Sequence, residues 1–203
     1  MKRRIALVGF ATLTAVAFAG CHKVLVPHVG VPIVWKPDSE VPPGTGPNVN
    51  LAPVLKHKFK VELFVDKRAL PQEIGRNVQK KEAPLPVTTN DNVAAWATQR
   101  FKMILSRQGL NVTESGETVV IAAEIVRFDV TEANRFVGDV ELRVTAKSAS
   151  GDVLWYGALV GRSWHHGRDY NLENYYESLS TAFMQAAGSL ASNEAFIAAL
   201  PKI

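Results

Sequence analysis

In residues 57–65 polar and apolar side chains alternate (HKFKVELFV) before the charged run Asp66-Lys67-Arg68, a period of two that predicts a strand running into a loop. Residues 69–88 carry Pro71, Gly75, Pro84 and Pro86 and read as an irregular excursion. Beyond Thr89 the period lengthens. Val93, Trp96, Ala97, Phe101, Ile104 and Leu105 share one helical face, Thr89 or Asn90 is placed to cap the first amides, and Gly109 to close the helix in a left-handed conformation. Three strand-like runs follow: residues 117–132, residues 134–149 and, after the turn Ser150-Gly151-Asp152, the segment VLWYGALVGRSW. The second puts Phe136, Gly138, Val140, Leu142, Val144 and Ala146 on one face, so an antiparallel meander is expected, with a short edge strand at residues 110–113. Leu172, Tyr175 or Tyr176, Leu179, Phe183, Ala186 and Leu190 then mark a second helix, capped by Asn171, and SNEAFIAALPKI a last short one. This order predicts an α+β domain at residues 56–203: a mainly antiparallel sheet of four to five strands with two helices packed on one face.

The N-terminal part has another pattern. Lys2, Arg3 and Arg4 precede an apolar run, residues 5–19, which ends at the small pair Ala19-Gly20, the layout of an export signal cleaved after residue 20. At fifteen residues with Gly9, Thr12 and Thr14 inside, the run falls short of the ~20 apolar residues that span a bilayer. Directly after it stands the chain's single cysteine, Cys21, and Phe18-Ala19-Gly20-Cys21 resembles the bacterial lipobox, in which the cysteine thiol is acylated and the signal removed just before it. With no second cysteine there is no disulfide partner within the chain, so the lipidation reading of Cys21 stands. Residues 21–55 hold seven of the eleven prolines and read as a proline-rich linker, although the apolar stretch at residues 29–35 leaves docking of part of it on the domain open.

Cleavage changes the charge. The whole chain has 23 Lys+Arg against 19 Asp+Glu; removal of Lys2, Arg3 and Arg4 leaves 20 against 19, so +4 becomes +1 and no nucleic-acid partner is expected.

Sites of chemistry are few. RSWHHGRDY, residues 162–170, offers His165, His166 and Asp169 as metal ligands or Ser163 and His165 as nucleophile and base, but neighbouring histidines on an extended chain face opposite ways. Asp66 and Arg68, two residues apart, could flank a shared site or satisfy a loop. No HExxH, GxSxG or phosphate-loop pattern is present, so no catalytic residue, metal ligand or cofactor is assigned and the chain reads as a non-enzyme. The aromatic group Trp155, Tyr156, Trp164, Tyr170, Tyr175 and Tyr176 is the candidate partner-binding set.

The lipobox at Cys21, the strand VELFVDKR with the following EIG, the helix end ILSRQGLNV, the segment GDVLWYG and the closing NYYESLSTAF together resemble the YajG-type family of small bacterial lipoproteins. The long proline-rich linker and the insertion between Arg68 and Asn90 depart from that pattern. The resemblance implies an outer-membrane lipid anchor facing the periplasm, with His22 and not aspartate after Cys21. The reading is a binding or accessory module with an envelope protein partner; the alternative is a glycan- or metal-binding protein, or enzyme, with a site near Asp66, Arg68 and His165.

Overall fold

The computed structural model describes residues 26–43, 50–79, 82–167 and 170–202. Its frame is the meander of β6 (Val119–Glu132), β7 (Phe136–Ser148) and β8 (Val153–His165), antiparallel and in register almost throughout. Alternation decides the faces. In β7 the six residues singled out from the sequence are all buried, while their neighbours lie on the opposite face.

The free edge of β6 is filled differently from expectation. The single strand expected at residues 57–65 is divided into β1 (Lys58–Val61) and β2 (Val65–Asp66), and the excursion contributes β3 (Glu73–Asn77); all three lie end to end along β6 and parallel to it. β3 forms a hairpin with β4 (Leu85–Thr88), the last named strand on that side, where Pro86 is tolerated because the pairing outside it uses the Thr88 amide and carbonyl. β5 (Asn111–Val112) pairs with β1, giving eight strands in all among the described residues.

A four-residue helix, α1 (Ala52–Leu55), precedes β1, and the two expected long helices cover one face of the sheet. α2 (Val93–Arg107) starts at Asn92, whose side chain accepts the Ala95 amide at 2.9 Å. Thr89 and Asn90 are not the cap: the Thr89 hydroxyl accepts the Asp91 amide and turns the chain into Asn92. Gly109, at φ +87°, ends the helix as expected. α3 (Leu172–Gly188) is capped by Asn171 and presses on β7 and β8 so closely that two strand positions are glycine. A Cβ on Gly161 would lie 1.9 Å from the Ala182 carbonyl oxygen, and one on Gly138 2.4 Å from that of Ser178. After one 3-10 turn, α4 (Glu194–Ala199) lays Phe196 on Phe59 and Trp155. Trp96, Phe128 and Phe183 meet edge to face at the centre, with ring centroids 5.3 to 6.2 Å apart. No helix among the described residues is long and apolar enough to cross a membrane.

Residues 26–43 lie along the domain as a strap. They pair beside β4 (Val31 amide to the Thr88 carbonyl, Thr88 amide to the His28 carbonyl), bury Ile33 and cross both helices. Asp91 accepts the Ile33 amide, Ser180 the Lys36 amide and Thr181 the Asp38 amide, and Trp35 packs against Trp96 and Phe183. The strap's end sits against Gly188, where Gln108 bridges the Pro43 and Gly188 carbonyls.

Candidate functional site

Asp66 and Arg68 form one closed unit. Because they are two apart, both point the same way, and the Arg68 guanidinium takes the Asp66 carboxylate in a fork at 2.9 and 2.7 Å. Its remaining N–H groups donate to the carbonyls of Glu73, Phe128 and Pro71, and the plane lies 5.4 Å from the Phe128 ring centroid. With its side chain 6% exposed, Arg68 stitches the β2–β3 loop to β6. Beside it opens a cavity of about 210 Å³ lined by Leu70, Arg76, Arg127 and Asp129, where burial raises the Asp129 pKa.

His165 lies at the other margin of the sheet, at the end of β8. It turns inward to Glu177 of α3, Nε2 to Oε2 at 3.1 Å, while His166 is exposed beside Trp164. Ser163, the candidate nucleophile, is buried and donates its hydroxyl to the Ser178 carbonyl at 2.5 Å. Asp169 lies outside the described residues, as does Cys21. The strap adds two groups that the linear sequence did not connect with His165. Lys36 reaches Glu173 and Glu177 at 2.5 and 2.9 Å, and these hydrogen bonds raise its pKa. Asp38, His165 and Glu177 bring ligand atoms within 4.8 Å of one another. A divalent ion would suit that donor set, but the Lys36 ammonium already holds Glu177 and would have to move aside. In this conformation the cluster is a clasp joining strap, β8 and α3.

The aromatic set is divided by the fold. Tyr170, Tyr175 and Tyr176 are in the core, and Trp155 is half-buried under Phe196. Tyr175 donates to buried Glu132 at 2.7 Å, which also accepts the Tyr170 amide at 2.6 Å; burial first, then this carboxylate, raises the Tyr175 pKa. Tyr170, at φ +52°, stacks on His28 with centroids 4.1 Å apart and accepts the His28 amide on its hydroxyl. Only Tyr156 and Trp164 of the six are well exposed, 63% and 60%, on the face of the sheet that the helices leave uncovered. Val160, between them on β8, is equally exposed and was not singled out from the sequence. Near Tyr156 a groove of about 420 Å³ runs to Leu63 and Val65, with Glu124, Arg143 and Lys147 on its rim.

The sequence matches no protein-family profile, and no curated protein matches it. Its fold is similar to that of protein XCC0632 from Xanthomonas campestris, of the family DUF330, at TM-score 0.54 and 9% identity, covering 83% of this chain and 93% of that one. Weaker likenesses are to PelC from Paraburkholderia phytofirmans, solved as a dodecamer (TM-score 0.45, 12% identity, 67% and 86% covered), and to a minor lipoprotein from Acinetobacter baumannii (TM-score 0.35, 10% identity, 72% and 98% covered). At 9% identity the first of these likenesses is one of fold alone.

Proposed function

We propose that this chain is a lipid-anchored cell-envelope protein of YajG type that works as a non-catalytic docking module: acylated at Cys21, held at the outer membrane, facing the periplasm and binding an envelope protein. The anchor half rests on the signal-like residues 1–20 and the lipobox-like FAGC. Each buried methylene adds about 0.8 kcal/mol, so a diacylglycerol plus one further chain holds a protein stably on a bilayer. The observation that carries the docking half is the uncovered apolar line of Tyr156 and Val160 beside the groove at Leu63 and Val65. The polar groups that could have done chemistry are engaged elsewhere: Arg68 on carbonyls, Ser163 on Ser178, His165 on Glu177.

Two measurements test the two halves. Cys21→Ser should lose labelled fatty acid and membrane fractionation while the domain melts as before; equal labelling of both proteins refutes the anchor. A photo-crosslinking residue at Tyr156, in intact cells, should capture a distinct envelope protein that the same residue at Ser106, exposed on the helical side, does not. Recovery of this chain alone from both positions would end the docking reading.

A second reading, a metal-binding envelope protein, is favoured by Asp38, His165 and Glu177 alone. It requires that zinc raise the melting temperature and that His165→Ala abolish the rise.

A further inference from the structure

We infer that the domain sits with one end of its sheet against the lipid headgroups, and that Trp164 and Arg135 make the contact. The inference rests on Cys21 being the acylated residue; the structure adds where the chain after it is first held to the fold. Were residues 21–55 a free linker, their contour would let the domain stand off by roughly 115 Å. The strap removes that freedom. Its first side of firm contact is His28, held by the Tyr170 hydroxyl at 2.9 Å, by the Tyr170 carbonyl at 3.1 Å through its ring, and by stacking on the Tyr170 ring. Seven steps of chain from Cys21 to His28 reach at most about 25 Å.

The register says which end this is. His28 bridges to Val87 in parallel, so Pro27 and Val26 head toward the Leu85 end of β4, the end of the sheet where β3 finishes, β6 turns into β7 and β8 stops. Asn77 lies beside Glu132, Phe136 beside His165, and Gln79 donates to the Ala133 carbonyl, so these three termini are neighbours. The opposite end, the turn at Ser150, is a β7 length away: 13 residues, or about 40 Å.

The near end has the side chains that a bilayer interface selects. Trp164 is 60% exposed, with the Arg135 guanidinium 5.7 Å from its ring centroid. Val26 and Val29 stand 62% and 75% exposed on the strap itself. Tryptophan places an apolar ring and one N–H donor at headgroup depth, and an arginine beside it pairs with lipid phosphate. The line of exposed apolar residues on β8 thereby divides into two uses, Trp164 toward lipid and Tyr156 with Val160 toward a protein.

The experiment uses the mature acylated protein, from Cys21 onward, in mixed phosphatidylethanolamine and phosphatidylglycerol vesicles containing a lipid with a nitroxide headgroup. Acylation blocks the one native thiol, so Asn134→Cys or Ser150→Cys, both in exposed turns, takes a fluorophore alone. Quenching should be several-fold stronger at position 134 than at 150, and Trp164→Phe should remove most of the lipid-quenchable tryptophan emission. Equal quenching at the two turns, or tryptophan quenching indifferent to Trp164, overturns the inference. Fatty-acid labelling of the same preparation separates the causes. Label present with equal quenching sinks this orientation alone, the pattern expected if a protein covers Trp164; label absent removes the anchor and the orientation with it.

Discussion

Replacing Gly161 by alanine adds a single methyl group where α3 leaves no room for one. The new carbon would stand 1.9 Å from the Ala182 oxygen and 2.6 Å from the Ala186 nitrogen, about 1.5 Å short of ordinary contact with the first. Both obstacles are helix backbone, so no side chain can swing aside. α3 must lift from β8, and the lift loosens Leu179, Phe183 and Ala186, all buried. Overpacking a core costs about 1–3 kcal/mol, and a rigid obstacle places this case near 3. In a domain of this size 1 kcal/mol moves the melting temperature by about 2–4 °C, so the fall should be roughly 6–12 °C by circular dichroism. The urea midpoint should drop with the slope unchanged. Val160→Ala, one residue away on the open face, should cost no more than about 0.5 kcal/mol. Gly138→Ala meets the same helix one strand over, and a single shift of α3 relieves both clashes, so the double variant should fall short of the sum. A Gly161→Ala protein melting within about 1 °C of wild type would refute the close approach.

Arg68→Lys keeps the charge but loses the fork on Asp66 and the carbonyl contacts; the urea midpoint should report a loss of about 2 kcal/mol, and an unchanged midpoint would mean the staple carries no load. Tyr175, Tyr170 and Tyr176 all have raised pKa values, burial being the first cause, so the unfolded chain releases these protons first. Stability should therefore be level below about pH 10 as far as these groups go and fall above it, by about 1.4 kcal/mol per pH unit for Tyr175 alone; Tyr175→Phe should flatten that slope, and an identical slope would contradict the assignment. Trp35→Ala should speed hydrogen exchange at the Ile33, Lys36 and Asp38 amides at least about tenfold while β7 stays protected, since local opening of the strap leaves the sheet intact; uniform change across both would mean strap and domain unfold together.

Elements with a sustained period were legible in the sequence. From Gly138 to Ala146 the residue types alternate and α3 repeats at three and four residues over its length, so face and type followed directly. β3 and β4 were hidden because Pro84, Pro86 and Gly75 mark breaks in isolation, whereas in the fold the strap bonds to Thr88 and not to Pro86, and Gly75 lets Tyr175 pack against the sheet. The division of the first strand was hidden too, since nothing local requires β1 and β2 to run parallel to a strand some sixty positions later. Proline content likewise concealed the strap. Its backbone donors go to side chains of α3 and the turn before α2, a bonding scheme that needs no regular secondary structure and leaves no periodic trace.

The candidate site was legible in pairs and not as a whole. Spacing put Asp66 with Arg68 and separated His165 from His166, and both follow from the two-residue period of a strand. What spacing could not supply was the sense of β8. Its inner face carries Trp155 and Leu159 but then only Gly161 and Ser163, whereas its open face carries Tyr156, Val160 and Trp164, so beyond Leu159 the larger side chains are outside. The close approach of α3 accounts for this stretch: a helix backbone lying on Gly138 and Gly161 leaves no volume for a side chain at either position. Past Leu159 the bulky residues of this strand thus stand on the uncovered face. Tyr156, Val160 and Trp164 are therefore surface on the side of the sheet that the helices do not cover.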